Sequence, residues 1–467
     1  MIRVGILSFS DGRKRVHDSL LPYIKECETV IKDTLEQTGE VEVITGSEVI
    51  YHVELANSEA KAIAGNDLDA IILNVPVFAF PNFSTMAVHL QNVPCLAIAP
   101  VNGKLPGLGG LFAAVNLIRQ TGGYCEKVWG NISEPQILRK VMTFLRASHA
   151  VSRLRGQVYG LIGGRSIGMG SGAVNPDLWM NLFGVDVEHI DQLEIIRQAE
   201  HISPEKVMFA FDWIRRTFGG VHFDGEKLTE ESLKMQIRCY YATQAIVAER
   251  KLNFLGVKCH YELSEYYVTQ CLAAALFNDP YDWDGPKPPM VYSCEADSDG
   301  ALTMQVMNLI SGKPVLFIDF RHYDRDTDLF AFCNCGAMAT WYAQRSDDLH
   351  TNLQAVNLYP IIPKYGGKGC HVQFIAAEGE MTFARLTRTM DRYKLTAFSG
   401  SFRKVPPQKL DETCPVWPHG FVQVKGDAYH ILEQYNNNHV HAVSGNILEE
   451  LESFCKLKNI EYENLDQ

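Results

Sequence analysis

The feature that most constrains the fold is a repeated switch of period in the first third of the chain. Short apolar runs, IRVGIL (2–7), VEVIT (41–45), AIILNVPV (70–77) and CLAIAP (95–100), alternate with amphipathic stretches such as VHDSLLPYIKECETVIKDTLEQ (16–37). Strands buried on both faces, each followed by a helix, predict a parallel, doubly wound sheet. A helical segment around 134–153 closes this unit. QVYGLIGGRSIGMGSG (157–172) then opens a second α/β unit with a strand and a glycine-rich turn. Its glycines match neither G-x-G-x-x-G nor a P-loop, so the turn reads as a tight strand-to-helix connection rather than a nucleotide cradle. From about residue 355 the segments become short, aromatic and β-branched (YPIIP, HVQFIAA, MTFARLTR, KLTAFSG, FVQV), as in a small antiparallel barrel, before a terminal helix at NILEELESFCKLKNI. The expected fold class is α/β: two Rossmann-like doubly wound domains, 1–154 and 155–312, then a C-terminal domain, 313–467, containing a β-barrel.

A chain of 467 residues is too long for one core. Its net charge of −12, with no basic tract, argues against nucleic acid as a partner. No apolar run nears the roughly 18–20 residues that span a bilayer, and MIRVGILSFSDGRKR reads as a strand and a turn rather than a signal peptide. The twelve cysteines are scattered, many inside apolar runs, which fits reduced, buried thiols and a cytoplasmic protein. Cys333-Asn334-Cys335 is CxC with no second pair at zinc spacing, so it reads as no zinc site.

Two acids each end an apolar run, Glu295 after PPMVYSC late in the second region and Asp319 after KPVLFI at the start of the third. Ligands of open α/β sheets bind at the carboxyl ends of strands. The separation allows one helix crossing back to a neighbouring parallel strand. On that reading the two carboxylates emerge side by side, as ligands of a hard divalent cation or as a general acid/base pair. The competing reading makes them polar strand ends, with Asp297 and Asp299 as helix caps. A third ligand comes from YNNNHVHAVSGN (435–446), where His439 and His441 lie two apart on an expected strand and face the same side. One imidazole with two carboxylates suits Mn2+ and leaves positions open for substrate oxygens.

These residues resemble the L-fucose isomerase family, which includes D-arabinose isomerase activity. In that family a Glu ends one strand, an Asp followed closely by an Arg ends the next, and a His follows an Asn near the C-terminus. The matching residues are Glu295, Asp319 with Arg321, and His439 with Asn438. DWDG (282–285), YGLIGGRSIGMGSGAV (159–174) and SDGRKR (10–15) also look like family motifs. The resemblance selects His439 over His441 and supports three domains. It implies a metal-dependent aldose–ketose isomerase in which Glu295, Asp319 and His439 bind Mn2+ and the two carboxylates move protons through a cis-enediolate. It also implies a hexamer in which Arg13 and Phe78 reach the substrate from a neighbouring subunit.

The sugar-contacting positions depart from the family pattern. Lys258, in NFLGVKCHYE, replaces a glutamine, and GGKGCH and WPHG offer His371 and His419. These cations point to an anionic sugar, as in the sulfoquinovose isomerases that convert sulfoquinovose to sulfofructose. The alternative makes Lys258 a structural ion-pair partner. Two further classes compete: a non-catalytic sugar-binding α/β protein, and a different metal enzyme such as an aldolase or epimerase.

Overall fold

The structure, a computed structural model, covers residues 1–467. It divides into two units, Met1–Arg155 with Glu449–Lys458, and Gly156–Leu448 with Asn459–Gln467.

In the first unit the chain runs β1 (Ile2–Ser8), α1 (Lys14–Glu36), β2 (Val41–Thr45), α2 (Val53–Ala64), β3 (Ala70–Asn74), α3 (Pro81–His89), β4 (Cys95–Ala99), α4 (Gly107–Gln120), β5 (Glu126–Trp129) and α5 (Pro135–Leu154). The strands form one parallel sheet in the order 2-1-3-4-5. This is a doubly wound order, but not the 3-2-1-4-5-6 order of dinucleotide-binding sheets. Alternate residues of each strand feed separate cores. Leu7, Ile71 and Leu73 pack with α2 to α4, whereas Val4, Ile6 and Ile72 pack with α1 and α5. That two-sided burial explains why the strands read as unbroken apolar runs.

The second unit continues with β6 (Val158–Ile162), α6 (Pro176–Phe183), β7 (Asp186–Ile190), α7 (Leu193–Glu200), α8 (Pro204–Thr217), β8 (Gly220–Val221), α9 (Glu230–Arg250), β9 (Phe254–Val257), α10 (Glu262–Tyr266), α11 (Cys271–Asn278), β10 (Tyr281–Asp282), β11 (Gly285–Pro286), β12 (Tyr292–Cys294) and α12 (Ser298–Ser311). Then follow β13 (Val315–Asp324), β14 (Leu329–Cys333), α13 (Leu349–Gln354), β15 (Asn357–Pro360), β16 (Cys370–Gln373), β17 (Gly379–Thr389), β18 (Arg392–Phe402), β19 (His419–Val424), α14 (Ala428–Gln434) and β20 (His439–Ser444); after these, α15 (Leu448–Lys458) belongs to the first unit from Glu449 on, and β21 (Glu461–Asn464) to the second. A parallel sheet, 12-9-6-7, stands beside a closed barrel in which β17, β20, β13, β14, β19 and β18 pair in a ring.

Three expectations change. First, β12 and β13 are not parallel neighbours. β12 pairs with β9, while both edges of β13 are taken by antiparallel β14 and β20. Second, Asp319 does not end its strand but lies in the middle of β13, just before a register shift between Phe320 and His322. Third, YPIIP and HVQF stay out of the barrel, because β15 and β16 pair with each other and with β8. No gap falls at 312/313: one core runs from Ile162 to Leu465 through the parallel sheet and the barrel. Helix α12 packs between them and is buried from Ser298 to Met307, as expected of a helix apolar on every side.

Candidate metal centre

Glu295 and Ala296 follow β12 with φ of 59° and 51°. The left-handed region costs about 1–2 kcal/mol for each non-glycine residue, so the surroundings must impose the turn. They do so through bonds from Ala296 N to the Val257 carbonyl (3.0 Å) and Asp297 N to the Cys294 carbonyl (3.2 Å). The Ser293 hydroxyl adds a bond to the Asp297 carbonyl at 2.8 Å. Gly256 lets the turn come close, since a Cβ there would lie 3.2 Å from Ala296 Cα and run into the Tyr159 hydroxyl. The turn leaves the Glu295 carboxylate beside His439 of the barrel.

The barrel supplies the other two residues. Asp319 of β13 stands opposite His439 of β20 in the antiparallel register. His439 Nε2 lies 3.3 Å from Asp319 Oδ1 and 3.4 Å from Glu295 Oε2. Its Nδ1 is 2.7 Å from Asp297 Oδ2. Asp297 has three tasks: it caps α12 by accepting from Gly300 N at 3.0 Å, orients His439, and receives two bonds from Arg385 at 2.7 and 3.0 Å. Arg385 also lies 2.9 Å from His441 Nε2. Gly300 leaves room for this, because a Cβ would meet Arg385 at 2.7 Å and His441 at 2.8 Å.

Burial raises the Asp297 carboxyl, but the Arg385 charge and the His439 bond overcome it and hold Asp297 well below the usual carboxylate range. Glu295 is likewise held below its ordinary value, burial being outweighed by His439. His439 is driven the other way. Burial alone would favour the neutral ring, but bonds to Asp297, Asp319 and Glu295 raise it well above an ordinary histidine. The protein's own answer to this concentration of carboxylates is a proton on His439. A divalent cation would meet the same field: with Nδ1–H donating to Asp297, Nε2 would be left to hold the ion beside the two carboxylates. One imidazole and two carboxylates, with Asp319 still 32% exposed, fit a hard or borderline cation with open positions.

A second cluster shares Glu295. His260 Nε2, a Glu295 oxygen and Cys335 Sγ lie within 4.8 Å of one another. A hydrogen bond with Cys294 and the nearby His260 outweigh burial and pull the Cys335 thiol down to about 6. Glu295–Asp319–His439 is the better primary centre, because its histidine is oriented by a buried carboxylate and its donors are hard.

The other expected residues divide. Lys258 Nζ is 2.7 Å from Glu262, the structural ion pair that was the alternative reading. His371 is fully buried, its Nε2 accepting from Ile362 N at 3.2 Å and its Nδ1 3.5 Å from Cys271 Sγ. His419 is equally buried between Thr413 (2.8 Å) and the Trp417 carbonyl (3.0 Å). Neither ring offers a nitrogen to a ligand. Asn438 is exposed next to His439. Arg13 and Phe78 lie in the first unit, exposed, on the loops after β1 and β3. Arg13 pairs with Asp11 through bonds of 2.9 and 2.7 Å. The winding of a 2-1-3-4-5 sheet reverses between these two strands, where such sheets bind ligands. His441 does face the same side as His439, as its spacing predicts, but it supports Arg385. Sequence reasoning missed Arg385, His260 and the role of Cys335. The one available signal was Arg385 itself, a charge between the apolar Ala384 and Leu386 in MTFARLTR.

Two family profiles match the chain: "L-fucose isomerase, first N-terminal domain" over residues 1–156 and "L-fucose isomerase, C-terminal domain" over residues 332–465. A sulfoquinovose isomerase from Alkalicoccus urumqiensis is 22% identical over 450 residues, covering 93% of this chain and 96% of that protein. L-fucose isomerases from Haemophilus influenzae (strain PittEE) and Streptococcus pneumoniae (strain CGSP14) are 24% and 25% identical, covering 69% of this chain and 61% of each of those proteins. A solute binding protein from Actinobacillus succinogenes 130z with bound D-allose aligns with 67% of the chain and 93% of its own at 12% identity, but its TM-score of 0.18 bears on neither fold nor function. The two profiles together account for more than half of the chain, from its first residue to within two of its last, and on that match the chain belongs to the L-fucose isomerase family.

Proposed function

We propose that the chain interconverts an aldose and its 2-ketose at Glu295, Asp319 and His439, with Mn2+ as the bound ion. The observation that carries this reading is the placement of His439 Nε2 at 3.4 and 3.3 Å from the two carboxylates while Nδ1 is fixed by Asp297. Held by Glu295, Asp319 and His439, the cation would supply positive charge that offsets negative charge developing on the substrate's oxygens. Glu295 and Asp319 divide the proton work: one carboxylate carries a proton between C2 and C1, and the other between the two oxygens. Asp297 keeps His439 in one tautomer throughout.

Glu295→Gln is expected to lower kcat by about 10²–10⁴, with deuterium from solvent entering at C1 in the wild type. Activity that survives both EDTA and Glu295→Gln would sink the mechanism, and complete retention of substrate hydrogen would point to a hydride shift. Product analysis distinguishes the reading from an aldolase or epimerase. A non-catalytic sugar binder is disfavoured, because the relatives that match most of the chain are isomerases.

The reading extends to substrate and assembly. The match to a sulfoquinovose isomerase covers 96% of that protein, whereas the L-fucose isomerases match over 61% of their length. An anionic C6 sugar is therefore a second reading beside L-fucose or D-arabinose. An aldose panel with and without a C6 sulfonate decides it, and a Lys258→Ala variant unchanged on the sulfonated sugar removes Lys258 from anion recognition. Arg13, Phe78 and Asn438 are exposed side chains offered to substrate, the first two across a subunit boundary in a hexamer. Mixing Arg13→Ala with Glu295→Gln chains should then restore activity that neither has alone. No helix is long and apolar enough to cross a membrane, and all twelve cysteines are unpaired, in keeping with a reducing cytoplasm.

A further inference from the structure

Four of the unpaired cysteines, Cys259, Cys271, Cys294 and Cys335, converge with His260 on one void of about 10 Å³, room for a single water or ion. Residues far apart in sequence make this cluster, and the isomerase chemistry uses none of the thiols. His260 Nε2 is 3.6 Å from Glu295 Oε1, while Glu295 Oε2 faces His439. Cys335 Sγ lies within 4.8 Å of both the His260 and Glu295 donor atoms and 3.9 Å from Cys294 Sγ.

These spacings favour an ion. Two thiolates on a tetrahedral zinc, each about 2.3 Å from it, stand roughly 3.8 Å apart. The two sulfurs are joined by a hydrogen bond at that same separation, well beyond the roughly 2.0 Å of a disulfide, so a cation can replace the shared proton without moving either sulfur. The tautomer of His260 agrees. The Ser264 hydroxyl donates to the Tyr261 carbonyl at 3.2 Å, so its oxygen accepts from His260 Nδ1–H at 3.1 Å. Nε2 therefore carries the lone pair, accepting the Tyr365 hydroxyl at 3.2 Å. With Nδ1 so fixed, Nε2 faces Glu295 and Cys335 and is free to hold an ion once the exchangeable Tyr365 hydroxyl is displaced.

We propose that His260, Cys335 and Glu295 Oε1, with Cys294 as fourth ligand, form a second cation site selective for thiophilic ions such as Zn2+ and Cd2+, and that an ion there draws Glu295 away from His439 and Asp319 and inhibits the enzyme. The inhibitory half rests on the isomerase reading; the binding half does not. Binding releases the thiol protons to solvent and needs no oxidant.

The test uses the full-length protein loaded with Mn2+ in a reductant that does not bind metals. Cadmium titration should raise the ultraviolet thiolate-to-cadmium charge-transfer band, saturating at one ion per chain. Cys335→Ser and Cys294→Ser should each weaken the band, and Asp319→Asn should leave it. Zinc should inhibit the wild type, and Cys335→Ser, judged against its own zinc-free rate, should require at least about tenfold more zinc. His260→Gln is the second variant, and matching circular dichroism spectra show that each variant folds. No band in the wild type, or one untouched by Cys335→Ser, overturns the site. Equal zinc inhibition in wild type and Cys335→Ser overturns the inhibitory role and makes zinc a competitor at Glu295–Asp319–His439. If no sugar is isomerised, the functional reading fails, and the cadmium band alone decides whether the cluster binds.

Discussion

Asp297 stands where a helix cap, an ion pair and a histidine meet, and each of its bonds is buried. Removing one partner of a buried pair strands the other, at about 3–5 kcal/mol. Asp297→Asn keeps the cap but leaves Arg385 without its carboxylate, so stability should fall by about that amount in urea unfolding. Loss of the His439 orienter should also weaken Mn2+ binding by about 10–100-fold. Unchanged affinity would remove Asp297 from the metal centre. The sequence shows Asp297 only as a cap, because its other partners, Arg385 and His439, lie 88 and 142 residues away. The structure brings Glu295, Asp319 and His439 together, a long-range juxtaposition that the resemblance implied and that periodicity cannot supply. His371 and His419 illustrate the opposite outcome. A histidine in an aromatic segment reads the same whether it faces a cavity or closes its hydrogen bonds inside the core.

Strand and helix carry the next level. β12, α12 and β13 are all legible from apolar runs, but their pairing is not. A run such as VLFID suits a parallel or an antiparallel neighbour, and β20 more than a hundred residues onward decides the matter. The turn after β12 depends on Gly256 in the adjacent strand. Gly256→Ala would press a methyl group against Ala296 and the buried Tyr159 hydroxyl. The expected cost is about 1–3 kcal/mol, with a fall in kcat as the Glu295 turn shifts. An unchanged kcat in a destabilised variant would show that the turn tolerates displacement.

At the scale of the molecule, buried histidines set the acid limit. Burial pushes His371 down to about 3 and His419 to about 4, and holds His441 well below an ordinary histidine. All three are neutral when folded, whereas unfolded histidines titrate near 6.5. The unfolded chain therefore binds more protons below about pH 6.5, and stability falls as pH drops through that window toward 4. Each histidine contributes a slope of up to about 1.4 kcal/mol per pH unit. Urea midpoints measured from pH 7 to 4.5 check this, and His419→Gln should flatten the curve. A flat wild-type profile would contradict the burial of these rings. The sheet-and-helix alternation completes itself near residue 154, and the first unit's main segment ends at Arg155. The expected break at 312/313 was not found, because α12 gives its apolar faces to both the parallel sheet and the barrel.

Helix α15 belongs to the first unit, although the strand after it, β21, belongs to the second. Leu457 of that helix packs on the core formed by Val4, Ile6 and Val141. Protein synthesis delivers residues in order, so the five-stranded sheet leaves the ribosome with one part of its covering still unmade. It must wait through almost the whole of the second unit before that helix emerges. The first unit to be translated is thus among the last to be finished, which couples its completion to the folding of the barrel. A fragment ending at Arg155 should unfold at lower urea than the same unit within the full chain, and a separate peptide of residues 446–460 should restore part of the difference.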